Sequence, residues 1–131
     1  MELMRIYINL TDTLTVKSEN TTINMILFDG YCDSDIFQGT ILPGGVDTQK
    51  IESDGSGLLS ARYILQGTDP EGNPCHLFIE NTARIQDGII DTTHPAIYTD
   101  SPSLKWLEKE PLYGRILTEG EQLIIAIYKS E

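Results

Sequence analysis

Residues 39–81 read GTILPGGVDTQKIESDGSGLLSARYILQGTDPEGNPCHLFIEN, and this stretch decides the fold class. Two turn signals, Asp54-Gly55 and the Pro- and Gly-rich residues 69–74, divide it into three extended segments. In the middle segment, residues 58–66, a period of two predicts a strand with two unlike faces. The short connections leave no room for a crossover, so the three segments are predicted to pair antiparallel. One face carries Leu59, Ala61, Tyr63 and Leu65, and the other carries Ser60, Arg62, Ile64 and Gln66.

The same strand signals recur along the rest of the chain. Residues 11–20 are polar and predict either a short strand or a loop, whereas residues 31–36 predict a loop. The Pro43-Gly44-Gly45 sequence predicts a sharp bend between two strands. Further strands are predicted at residues 3–10, 21–28, 37–42, 46–52, 75–81, 94–99, 112–117 and 122–129, with another hairpin over residues 82–90.

One short helix is predicted near residues 102–109, where Ser101 and Pro102 suit a helix start. In all, eight to ten strands are predicted, with turn signals about every 8 to 12 residues, and this pattern predicts an all-β fold. Many strands carry apolar residues on both faces, which favours an antiparallel β-barrel over a sandwich. We expect residues 1–131 to form a single barrel domain.

Composition excludes several classes of partner. The chain has 9 Lys and Arg against 20 Asp and Glu, a net charge of −11, which argues against nucleic acid and against an anionic membrane surface. It has no signal-like segment and no apolar run long enough to span a bilayer, so a cytoplasmic location is predicted. Cys32 and Cys75 are then expected as reduced thiols rather than a disulfide. Zinc-site spacings are absent, and neither a metal nor a cofactor is predicted.

Several motifs, taken as a set, resemble a family of small, mostly bacterial proteins known as uncharacterised protein family 0311, or domain of unknown function 3237. The motifs are GTILPGGVD at residues 39–47, Asp54-Gly55, Ala61-Arg62-Tyr63 and Ile79-Glu80-Asn81, with Pro95, Trp106-Leu107, Gly114 and Ile127-Tyr128 further on. The resemblance implies an antiparallel β-barrel with an interior pocket, and it implies no defined activity. The chain departs from the family at Thr48, where members often carry an aromatic residue.

Arg62 is the first candidate site residue, because it lies mid-strand between apolar neighbours. If its face points into the barrel, the guanidinium needs a carboxylate partner, for which Asp47 and Glu80 are the candidates. The group would then hold a ligand carbonyl or carboxylate in the pocket. The alternatives are a structural ion pair or an arginine on the solvent face. Either carboxylate would act as a general acid or base if an apolar cavity raised its pKa.

The remaining candidates are histidines and aromatic residues. His76 and His94 lack the spacing of a metal site, and His94 is the better candidate for proton transfer. Trp106 either packs in the core or forms the floor of the pocket. One of the strand tyrosines Tyr63, Tyr98, Tyr113 and Tyr128 is a candidate to place its hydroxyl in the cavity.

Three hypotheses for function remain open from the sequence. The first is a module that binds a small, partly apolar molecule inside the barrel. The second is a cofactor-free isomerase, cyclase or lyase that acts on a small carbonyl-containing substrate. The third is a structural homodimer without a ligand, which the apolar residues of both faces of the strand at 122–128 would favour.

Overall fold

The computed structural model describes residues 1–130 and confirms an all-β, antiparallel fold with ten strands and one short helix. A 3₁₀ helix, Pro102–Glu108, lies between β8 and β9. The strands are β1 (Glu2–Lys17), β2 (Thr21–Asp33), β3 (Gln38–Ile41), β4 (Val46–Glu52), β5 (Gly57–Thr68), β6 (Pro74–Gln86), β7 (Ile89–Ile90), β8 (His94–Thr99), β9 (Leu112–Glu119) and β10 (Gln122–Lys129).

The strands pair around a ring of eight positions. β8 pairs with β6, β6 with β5, β2 with β1, β1 with β10, and β10 with β9. Both β3 and β4 bridge β5 and β2, so the two short strands share one position on either side of the Pro43-Gly44-Gly45 bend. β7 and β8 likewise share the position beside β6.

One backbone bridge closes this ring between its first and last strands. Thr93, just before β8, pairs antiparallel with Gly114 of β9. Each residue donates its amide hydrogen to the carbonyl oxygen of the other, with both N···O distances at 2.9 Å. The sheet therefore closes into a barrel through this single bridge, and within residues 1–130 β8 and β9 form no further ladder with each other.

Two strands are longer than the sequence pattern predicts. The polar residues 11–17 continue β1, and they pair with β2 through residues 22–27. They lie beyond the part of β1 that pairs with β10, and all seven are exposed, so Leu14 and Val16, which alternate with polar residues, meet solvent. Tyr31 to Asp33, predicted within a loop, extend β2 because they pair with β3.

The helix begins with Pro102 after Ser101, as the sequence predicts, but in the tighter 3₁₀ form. Ser101 makes no side-chain cap. Its hydroxyl instead donates to the Asp69 carboxylate at 2.9 Å, which ties the helix start to the β5–β6 loop. Leu104 and Leu107 are buried beneath the helix. Among residues 1–130, no helix combines the length and hydrophobicity that crossing a bilayer requires.

The interior holds two hydrophobic clusters. The larger one fills the helix end of the barrel and includes both cysteines, which are buried and free. The smaller one consists of Leu59, Ala83 and Ile85, packed with Ile51 and Ile90 near the β6–β7 hairpin. β10 has no exposed residue: three of its residues are buried and five are half-buried, and the homodimer stays a prediction.

The β3–β5 pair depends on two facing glycines. Gly39 lies opposite Gly67, and a β-carbon at Gly67 would overlap with the carbonyl oxygen of Gln38. We expect Gly67→Ala to lower the free energy of unfolding by about 3 kcal/mol, because the backbones must move apart. Gly72→Ala is the control: Gly72 has open space around it but a φ of +82°, so its loss is expected at about 1 kcal/mol. Equal losses in urea unfolding would contradict the close-approach explanation.

Candidate functional site

A cavity of about 270 Å³ lies inside the barrel, on the side away from the helix. Members of both hydrophobic clusters line it, Ile8, Phe28 and Tyr63 from the larger and Leu59 from the smaller. Most of its wall is therefore aliphatic or aromatic, as in sites that bind small organic molecules. The other lining residues are Leu10, Ile26, Asp47, Gln49, Ala61, Asn81, Ile90, Thr93, Ile116, Leu123 and Ile125.

Four polar atoms converge on this cavity without a hydrogen-bond partner. They are Asp47 Oδ1, the Tyr63 hydroxyl, Asn81 Oδ1 and Thr93 Oγ1. Within residues 1–130 they are the only buried side-chain oxygens or nitrogens in that condition. Buried polar groups are normally paired, since each unpaired one costs about 1–3 kcal/mol. Four such atoms belong to residues that line one cavity, which makes it the candidate site.

Strand register explains how three of the lining residues meet. Asp47 lies directly opposite Ala61, and Ala61 lies directly opposite Asn81, so one row crosses β4, β5 and β6. Directly opposite side chains share one face of the sheet. Ala61 is the smallest member of the row, and it leaves open the space between the two polar side chains.

Thr93 enters the cavity from the strand that closes the barrel. Its backbone forms the bridge to Gly114, and its side chain is buried against the cavity. A β-carbon at position 114 would overlap with Thr93 Oγ1. Glycine at position 114 therefore leaves room for the threonine hydroxyl at the cavity wall.

Burial sets the protonation of the two titratable groups in the cavity. Burial raises the pKa of Asp47, and a hydrogen bond from Gln49 Nε2 to Asp47 Oδ2, at 3.0 Å, partly opposes this effect. Burial also raises the pKa of Tyr63, so its hydroxyl stays protonated and is free to donate a hydrogen bond. The cavity thus combines a hydroxyl donor with a carboxyl group whose ionisation is disfavoured.

Arg62 and Glu80 lie outside this cavity. They face each other across β5 and β6 on the outer surface of the barrel, where Arg62 is exposed and Glu80 is half-buried. The predicted ion pair of Arg62 with Asp47 or Glu80 is not formed within residues 1–130. The physical reason is the strand alternation: Ala61 and Tyr63 point inward, so Arg62 between them points to solvent.

The other predicted candidates are also outside the cavity. His94 lies on the outer surface opposite Thr82, and His76 binds Asp100, with 2.8 Å between Nδ1 and the carboxylate. Trp106 is 37% exposed on the helix and does not line the cavity, unlike the pocket floor considered from the sequence. Within residues 1–130, no three His, Cys, Asp or Glu side chains are grouped as metal ligands would be.

Sequence reasoning missed Asn81 and Thr93 and left Tyr63 as one tyrosine among four. Asn81 carries a usable signal, because it continues the inward series of Cys75, Leu77 and Ile79 with a polar residue. Thr93 has no such signal. It lies between two strands, and only the long-range bridge to β9 places it at the cavity.

Almost the whole chain matches a known protein family. The family model described as Protein of unknown function (DUF3237) matches residues 2–130. A UPF0311 protein of Clostridium acetobutylicum is 30% identical over 120 residues, covering 79% of this chain and 73% of that protein.

Two solved structures share the fold. A protein with unknown function from Clostridium acetobutylicum has a TM-score of 0.81 and 24% identity, over 98% of this chain and 94% of the other. A structure described as an enzyme from Penicillium herquei has a TM-score of 0.75 and 16% identity, over 98% of this chain and 92% of the other. At these identities the two likenesses show the fold alone.

The raised pKa of Asp47 predicts how the stability contributed by this carboxyl group changes with pH. Its contribution is fully present below the unfolded-state pKa of 3.8 and is lost as pH rises through the folded-state value. We therefore expect the melting temperature of Asp47→Asn, relative to the original protein, to rise between pH 4 and pH 7. The measurement is thermal unfolding by circular dichroism across this range.

Asp54→Asn is the control with the opposite sign. Hydrogen bonds from Ser56 lower the pKa of Asp54, so its contribution is present above the unfolded-state value and is lost as pH falls. Its relative melting temperature is expected to fall between pH 2 and pH 4 and to stay level between pH 4 and pH 7, where that of Asp47→Asn rises. A difference for Asp47→Asn that stays constant with pH would show that Asp47 is not desolvated.

Proposed function

This chain belongs to the DUF3237 family, and we propose that it binds a small, partly apolar and uncharged molecule inside its barrel. The observation that carries the proposal is the convergence of four unpaired buried oxygens on one apolar cavity. A volume of about 270 Å³ far exceeds that of one water molecule, about 30 Å³ in the liquid. It is close to the lower end of the range for small-molecule sites.

The donors and acceptors of the cavity specify the polar groups of the ligand. The Tyr63 hydroxyl donates, Asn81 Oδ1 accepts, and the Thr93 hydroxyl does either. A ligand that satisfies them carries at least one carbonyl or hydroxyl acceptor and at least one hydroxyl donor. The aliphatic wall requires that the rest of the molecule be hydrocarbon.

The charges of the lining residues argue for a neutral ligand. None of the described lining residues is Lys, Arg or His, so an anionic ligand would lose its hydration without gaining an ion pair. The desolvation that raises the pKa of Asp47 also disfavours any other negative charge in the same space. This replaces the carboxylate ligand that a buried Arg62 would have held.

A second candidate function is catalysis of a proton transfer by Asp47. A carboxyl group with a raised pKa, one unpaired oxygen and an apolar surrounding is suited to general acid or base work. The reaction would be an isomerisation, cyclisation or elimination next to a carbonyl group, with the Tyr63 hydroxyl donating to the carbonyl oxygen.

Filling the cavity tests the proposal directly. We expect the original protein to retain a small molecule in native mass spectrometry, and to release it for identification on denaturation. Ala61→Leu is expected to abolish retention, because the larger side chain enters the space between Asp47 and Asn81. Ala96→Leu makes the same substitution at an exposed position of β8 and is expected to retain the molecule.

The outcomes separate binding from catalysis. Where a carbonyl compound is retained, Asp47→Asn is expected to keep binding it while its conversion slows by about 100-fold or more, if Asp47 transfers the proton. Unchanged retention by Ala61→Leu, or release of a charged molecule from the cavity, would contradict the proposal. Failure of the original protein to bind any of a panel of neutral carbonyl and hydroxyl fragments by ligand-observed NMR would also contradict it.

A further inference from the structure

A separate concave groove of about 700 Å³ lies on the outer surface of the barrel, across β4, β5 and β6. The register of these strands orders its side chains in rows. Thr48, Ser60 and Thr82 form the middle row, in which each residue lies directly opposite the next, and His94 extends this row from β8. The groove therefore has a floor of three hydroxyl-bearing side chains, each able to donate a hydrogen bond.

Cationic side chains flank this hydroxyl row on both sides. Lys50 and Arg84 belong to the next row, where both lie opposite Leu58, and Arg62 lies two residues beyond Ser60 on the other side. Strand geometry puts Lys50 and Arg84 about 10 Å apart across the sheet, and Arg62 about 13 Å along it. Long side chains on this frame can reach a single bound molecule from three directions.

These three cations have no partner of their own. Arg5, Lys105 and Lys129 are in ion pairs, which leaves six of the nine Lys and Arg residues without one among residues 1–130. Three of those six, Lys50, Arg62 and Arg84, line this one groove. These unpaired cations are therefore clustered in one groove, although the chain has a net charge of −11 and abundant carboxylates.

Three carboxylates lie in or beside the groove without pairing with its cations. Asp91 lines the groove, and Glu80 lies directly opposite Arg62 on β6. Glu52 lines a neighbouring pocket together with Lys50 and Arg84. None of the three is within ion-pair distance of a groove cation. The groove thus holds three cations against one lining carboxylate, and a concave surface of one sign attracts ions of the other.

From this arrangement we propose that the outer groove is a second binding site, for a small organic anion that carries a phosphate group or several carboxylates. The cations hold the charged groups, and the hydroxyl row donates hydrogen bonds to the oxygens between them. The polar residues of the groove and those of the interior cavity belong to opposite faces of the same strands, and Leu59 lines both.

The test titrates the ¹⁵N-labelled full-length protein with inorganic pyrophosphate and, separately, with citrate, using sorbitol as the neutral control. We expect one of the two anions to produce saturable amide shifts that centre on Ser60 and Thr82. The two titrations distinguish a phosphate site from a carboxylate site. Added sodium chloride is expected to weaken binding, since the cations are exposed.

Matched variants test which arginine side chains bind the anion. We expect Arg62→Gln and Arg84→Gln each to raise the dissociation constant by about fivefold, with unchanged melting temperatures because both side chains are exposed and unpaired. Arg115→Gln removes an equal charge outside the groove and is expected to leave the dissociation constant unchanged. The proposal is overturned if neither anion saturates, or if Arg115→Gln weakens binding as much as the groove variants.

Discussion

The register between β4, β5 and β6 is the constraint on which both sites depend. It places Asp47, Ala61 and Asn81 in one row inside the barrel, and it places Arg62 and Arg84 outside. Because side chains alternate along a strand, a shift of one residue would exchange the two faces. The cationic side chains would then enter the apolar interior, where an unpaired charge is very costly. Burial of the apolar face therefore determines which side chains line the interior cavity and which line the outer groove.

The fold could be predicted from the sequence because its determinants are local. The alternation in residues 58–66, the turn at Asp54-Gly55 and the Pro43-Gly44-Gly45 bend each specify a strand, a hairpin or a break without reference to distant residues. The exception is residues 11–17, which form strand although the sequence leaves them as a short strand or a loop. Leu14 and Val16 alternate with polar residues there, but all seven residues are exposed, so no buried face supports the pattern.

The cavity could be predicted only in part. The sequence singles out Asp47 as a candidate, but it leaves open whether Arg62 faces the interior or solvent, although the neighbouring Ala61 and Tyr63 define the inward face. Thr93 was out of reach, because its position depends on a contact with Gly114 across 21 residues of sequence. Local patterns specify which side of a strand is buried, whereas pairings between distant strands decide which buried residues meet.

Thr93 takes part both in the closure of the barrel and in the wall of the cavity. Its backbone is half of the bridge that closes the barrel, and its hydroxyl is part of the cavity wall. A molecule held by that hydroxyl stabilises the closed seam, and by linkage the open seam holds the molecule less tightly. Occupancy of the cavity and closure of the barrel are therefore coupled through a single residue, one by its side chain and the other by its backbone.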